Sequence, residues 1–149
     1  VERSRGLGDV YKRQLENGAS ATFNSKNENV MQEIIQHTGG GALNAIDFVG
    51  SELSVNFGIN LLVKGGKYVI VGLHGGEFKF PLPLIPIMER DIQGSYVGSP
   101  GDMSELMALV RENKIDPIPV QARDASEASK TLMDLKNGKI LGRASLVHS

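Results

Sequence analysis

Apolar residues gather in short runs that each end on a glycine: Ala-Ile-Asp-Phe-Val-Gly at 45–50, Tyr-Val-Ile-Val-Gly at 68–72 and Ile-Gln-Gly-Ser-Tyr-Val-Gly at 92–98. Runs apolar at successive positions suit strands buried on both faces, as in a parallel sheet. The pattern predicts strands over 45–49, 68–71 and 92–97, a short one over 19–24 after Asn17-Gly18, and a last one over 143–147. Between them the apolar spacing becomes helical. Val30, Ile34 and His37 share one face of a helix over 26–37, which Gly39-Gly40-Gly41 stops. Ser51 suits the cap of a second helix, with Glu52 in its first turn and Leu53, Phe57 and Leu61 spaced by four up to Gly65-Gly66. Asp102 and Glu105 form a capping pattern for a third, carrying Leu106, Leu109 and Val110. A fourth spans 126–135 and stops at Asn137-Gly138. Strand–helix alternation with short connections is the signature of βαβ units, so the predicted fold class is α/β with a doubly wound parallel sheet.

Three stretches stand outside that rhythm. Gly75 to Pro86 holds Pro81, Pro83 and Pro86, whose missing N–H groups predict an extended surface or interface segment. Pro117-Ile118-Pro119 interrupts the pattern before the fourth helix. The first fourteen residues carry basic side chains without usable periodicity. Gly6-Leu7-Gly8 lacks the third glycine of a phosphate loop, because Tyr11 stands there, and no strand precedes it. This reading takes residues 1–14 as a tail foreign to the fold.

Composition narrows the chemistry. A chain of 149 residues can bury roughly 70% of its unfolded surface, enough for a core. The formal net charge of −1 gives no general field for nucleic acid or a membrane surface. The chain has no cysteine, which excludes disulfides, thiolate chemistry and cysteine zinc sites within these residues. His37, His74 and His148 lie far apart without carboxylates at ligand spacing, so no metal site is predicted here. No apolar stretch is long enough to span a bilayer and no secretory signal is visible, which makes the cytoplasm the expected location.

In open parallel sheets, ligands bind in the crevice beyond the carboxyl ends of the strands. Glycine there lets the backbone approach a flat or charged ligand. Three glycine-closed strand ends in register favour a nucleotide site. The segments Val-Gly-Ser-Glu at 49–52, Lys-Gly-Gly-Lys-Tyr-Val-Ile-Val-Gly-Leu at 64–73, Pro-Leu-Pro-Leu at 81–84, Gly-Ser-Tyr-Val-Gly-Ser at 94–99 and Gly-Arg-Ala-Ser-Leu at 142–146 point further. In order and spacing they resemble the later, C-terminal part of medium-chain, zinc-type alcohol dehydrogenases, from about Leu15 to the end.

That resemblance implies an incomplete Rossmann-like sheet holding strands 3–6 of the order 3-2-1-4-5-6, with strand 3 over 19–24. It divides the chain into the 1–14 tail, a partial NAD(P)-binding domain over 15–113, and a segment over 114–149 returning toward a catalytic domain. The glycine fingerprint, the ribose-reading acidic residue and the zinc ligands would all lie upstream. These residues would then bind no metal and contain no catalytic residue. An isolated chain would be poorly stable, inactive and weak in NAD binding, because strands 3 and 4 lack their neighbours.

By the same resemblance Phe48, Val49 and Gly50 would line the adenosine side, and Val71, Gly72 and Leu73 the nicotinamide half. Ser95 and Val97 would offer main-chain hydrogen bonds near the carboxamide. Arg143 would reach the pyrophosphate with its planar fork. Phe48 and Val71 read equally well as core, Gly72 as a simple turn, Arg143 as a solvated arginine and His74 as an exposed loop residue. Asp47 lies inside a buried strand and needs a partner, which the sequence does not name. The function so implied is the cofactor-binding part of an NAD- or NADP-dependent oxidoreductase acting on an alcohol or aldehyde, zinc being supplied elsewhere. A homo-oligomer would form through the sheet edge at 92–97. The alternatives are a zinc-free quinone or enoyl reductase of the same superfamily and a non-catalytic module that pairs through a sheet edge. A methyltransferase-like nucleotide domain is open on fold alone.

Overall fold

The computed structural model describes residues 5–148, and residues 1–4 of the predicted tail lie outside them. The chain divides into two units, one over Phe23–Gly98 and the other combining Ser99 onward with the residues before Phe23.

The first unit carries the glycine-closed strands. Its sheet has three parallel strands in the order β1-β2-β3: Ala42–Asp47, Leu62–Ile70 and Asp91–Gly94. Its helices are α2 (Val30–Thr38), α3 (Glu52–Asn60) and α4 (Leu84–Met88), while α1 (Arg5–Glu16) belongs to the other unit. Two βαβ crossovers connect the strands, as the alternation predicted. Helix α3 packs on β1 and β2. Val55, Ile59, Leu62 and Tyr68 form the buried cluster between them, with Ile59 fully buried.

Several boundaries differ from the sequence expectation, each for a physical reason. Residues 19–24 form no strand; among the described residues this segment has no ladder partner, and a strand exists only through pairing. Helix α2 begins at Val30 because Asn24 and Asn27 turn the chain first, their side chains accepting from Lys26 N at 3.0 Å and Asn29 N at 3.1 Å. Helix α3 ends at Asn60, and β2 starts ahead of the Gly65-Gly66 pair taken as the helix stop. Ala42 faces Leu62 while Asn44 faces Lys67, so residues 63–66 bulge out of the strand. Part of the proline stretch is helical, as α4, and β3 ends at Gly94.

The second unit contains α1 (Arg5–Glu16), α5 (Pro100–Arg111), β4 (Val120–Asp124), α6 (Ala128–Lys136) and β5 (Arg143–Val147). Although residues 1–14 lack usable periodicity in sequence, helix α1 runs through much of that stretch. The N-cap of α5 is Ser99, with Asp102 at the third helical position closing a capping box and Pro100 at the first. Asp102 therefore answers the cap and does not form it. A 3-10 turn over Ala125–Glu127 precedes α6, taking up the start predicted at Ser126. Strand β5 has the predicted bounds and pairs parallel with β4, which sequence reasoning missed. Arg123 ties β4 to α6 through Asp134 at 2.8 Å.

Candidate functional site

The site is built where β1 ends and α3 begins. Asp47, the last residue of β1, is buried. Its Oδ1 accepts the N–H groups of Val49 and Gly50 at 2.8 and 3.0 Å, which bends the chain toward the helix. Its Oδ2 accepts from Ser54 Oγ at 2.8 Å and from the Tyr68 hydroxyl at 3.0 Å. Ser51 caps α3 and exchanges hydrogen bonds with Ser54, whose hydroxyl is thereby turned toward Asp47. Burial alone would raise the Asp47 pKa; the bonds from Gly50, Ser54, Val49 and Tyr68 outweigh it and hold the carboxyl below its ordinary value. Tyr68 moves the opposite way, pushed up by burial and then by its bond to the Asp47 carboxylate and that carboxylate's charge. The pair is therefore an ionised acceptor facing a neutral donor.

The strand ends then cross. Val71 N and Gly72 N both donate to the Asp47 main-chain carbonyl at 2.9 Å. His74 N donates to Val49 O at 3.0 Å and Gly75 N to Gly50 O at 3.1 Å. A Cβ at Gly50 would meet the Gly72 carbonyl, and one at Gly72 would meet the Val49 carbonyl. Gly50 also adopts φ 67°, in the left-handed region. At both glycines the lack of a side chain is required by the close approach of the two strand ends. Gly75 and Gly94 are the glycines nearby with open space at the Cβ position.

Beside the crossing lies a cleft of about 310 Å³, lined by Gly50, Ser51, Val55, Gly72, Gly75, Gly76 and Phe78, with Glu52 and Glu77 adding carboxylates. Its size is at the lower end for small-molecule sites. Asp47 and Glu52 already place negative charge at the α3 N-terminus, where an anion would otherwise be favoured. The site suits an uncharged, flat or apolar ligand group better than a phosphate.

The structure brings Phe48, Val49, Gly50, Val71, Gly72 and Leu73 together at adjoining strand ends. Phe48 and Leu73 are largely exposed, at 76% and 78%, so Phe48 is not core. Ser95 follows β3, and its N–H donates to Ile70 O at 2.9 Å, which leaves its carbonyl and hydroxyl for other partners. Val97 is exposed and held at φ 46°, a strained conformation for a β-branched residue. Arg143 belongs to the second unit, where it opens β5 and donates its N–H to Pro119 O at 2.9 Å. His74 is exposed. The partners of Asp47, namely Ser54 and Tyr68, were missed, although a buried carboxylate followed by Ser51-x-x-Ser54 was a usable signal. Among the described residues no group of three histidine, cysteine or acidic side chains could hold a metal, and no helix is long and apolar enough to cross a membrane.

A family model described as zinc-binding dehydrogenase matches residues 11–112. An NAD-dependent alcohol dehydrogenase of Sulfurisphaera tokodaii is 35% identical over 131 residues, covering 87% of this chain and 38% of that protein. One of Saccharolobus solfataricus is 32% identical with the same coverage. The crystal structure of the alcohol dehydrogenase from the hyperthermophilic archaeon Aeropyrum pernix superposes with a TM-score of 0.83 at 30% identity, over 94% of this chain and 40% of that one. The chain thus spans under half the length of the relatives it matches.

Proposed function

The chain belongs to the zinc-binding dehydrogenase family, and from that premise we propose that it is the nicotinamide-cofactor-binding part of an NAD(P)-dependent alcohol dehydrogenase. The intact protein would transfer hydride between an alcohol or aldehyde and the nicotinamide ring. The observation that carries this reading is the meeting of β1 and β2 carboxyl ends, with exposed apolar side chains flanking a turn whose anion-binding capacity is already taken. Such a place fits the uncharged part of a dinucleotide. Phe48 and Val49 supply apolar faces on the adenosine side, and Leu73 supplies one on the nicotinamide half. Gly50, Val71 and Gly72 set the spacing, and Ser95 and Val97 offer main-chain groups. Arg143 is assigned to the pyrophosphate, and the β3 edge to pairing between copies.

When bound, the nicotinamide supplies the hydride-accepting carbon; these residues orient the ring and exclude water from one of its faces. The donor set does not fit zinc, since the chain has no cysteine and the described residues hold no metal cluster. No zinc-dependent step is therefore assigned to them. Nor is any catalytic side chain, and the chain alone is expected to be inactive.

The test is an NMR titration of the isotope-labelled chain with NADH. Weak binding is expected, with Kd above ~1 mM, and shifts confined to 48–50, 71–73, 95–97 and 143. Shifts scattered beyond these positions, or none at the highest soluble concentration, would remove the cofactor reading.

A further inference from the structure

Asp47 is an unusual choice for its position. Its neighbour Ala45 packs on the buried cluster, and a valine or isoleucine at 47 would add apolar burial without desolvating a charge. Buried charge is weak evidence for stability, so another reason must be sought for this carboxylate. The hydrogen bonds supply one. The side chain accepts from both amides of the turn, Val49 and Gly50, while the same residue's carbonyl accepts from Val71 and Gly72 across the crossing. Asp47 thus grips both strands where the two glycines leave least room. Its Oδ2 is in turn fixed by Ser54 on α3 and Tyr68 on β2, so the carboxylate cannot rotate away from the turn. Tyr68 is only 2% exposed, and its hydroxyl also reaches Ser54 O at 3.0 Å, which anchors it in the packed cluster.

We propose that Asp47 is a positioning residue: it holds the turn at Val49 and the left-handed Gly50 against Gly72 and so sets the surface on which the cofactor ring lies. Ser54 and Tyr68 act through it. The ligand half of this inference rests on the cofactor reading above; the turn-holding half does not.

The experiment is amide hydrogen exchange, residue by residue, on the whole chain and two variants. Asp47→Asn keeps the volume but gives a neutral, weaker acceptor. The amides of Val49 and Gly50 are expected to exchange ~10-fold faster, while those of Ile59 and Val69 change less than ~3-fold. NADH-induced shifts at 48–50 should shrink in the same variant. Uniform acceleration of all amides would reduce Asp47 to a stability role and overturn the proposal. Unchanged rates at Val49 and Gly50 would overturn it as well. If Asp47→Asn does not fold, Tyr68→Phe decides, with a local acceleration of ~3-fold expected at the same two amides and unchanged rates there counting against the proposal. Failure of the unmodified chain to respond to NADH removes the cofactor reading, and the exchange rates still decide whether Asp47 holds the turn.

Discussion

Gly50 and Gly65 share a left-handed backbone, with φ 67° and 77°, but differ in what surrounds them. An alanine at Gly65 meets no heavy atom within 4 Å, so its cost is the backbone conformation, ~1–2 kcal/mol. An alanine at Gly50 carries that cost and also drives its methyl group into the Gly72 carbonyl. Overpacking of that kind adds ~1–3 kcal/mol. Urea unfolding of the two variants should therefore show Gly50→Ala losing more stability by about that margin. Equal losses would mean that the ends of β1 and β2 do not approach as closely as described. The comparison also separates the two uses of glycine that a sequence cannot: tolerance of positive φ, and lack of a side chain at a crossing.

Two helices in the chain start with the same device, and they differ in what the device is connected to. Ser51 and Ser99 each accept from the third residue of their helix, Ser54 N at 3.1 Å and Asp102 N at 3.2 Å. Replacing either with alanine should cost ~1 kcal/mol of stability. Ser51→Ala should do more, because Ser51 orients the Ser54 hydroxyl that bonds Asp47. Faster exchange at Val49 and Gly50 is expected in Ser51→Ala and not in Ser99→Ala. The same scale shows what was legible. Two features could be read because local chemistry decides them: the Ser51 cap, and β5 with the bounds Arg143–Val147. The start of β2 could not, because Gly65-Gly66 sits in a bulge that imitates a helix stop. Expected over 45–49, β1 starts earlier and ends two residues sooner, at Asp47, whose side chain bends the chain there. Strand β4 was hidden behind Pro117 and Pro119, although Gln121 and Arg123 alternate in burial with their neighbours. The grip of Asp47 on Tyr68 spans twenty-one residues of chain and depends on register, which only the folded sheet supplies.

At the scale of the molecule, the three-stranded sheet is narrow and its core small. Among the described residues the buried apolar side chains are Val30, Val55, Ile59, Leu61, Leu62 and Tyr68. Along β1, by contrast, Leu43 and Ile46 are exposed, and Phe48 just beyond its end is too. Strand β1 pairs with β2 on one side and, among the described residues, with no strand on the other. An apolar strand with an open edge is a template for pairing with another copy. A small core gives little stability to resist that exchange of partners. The chain by itself is therefore expected to self-associate at ~100 μM, within the range where exposed edges aggregate. Ile46→Lys places a charge on that strand without touching the buried cluster, and edge lysines are a common means of blocking such pairing. Sedimentation velocity should show oligomers for the unmodified chain and a shift toward monomer for Ile46→Lys. A sharply monomeric unmodified chain with a cooperative melt would show that the open edge is tolerated. Oligomers that persist unchanged in Ile46→Lys would move the association to another surface, with the exposed edge of β3 at Ile92 the next to substitute.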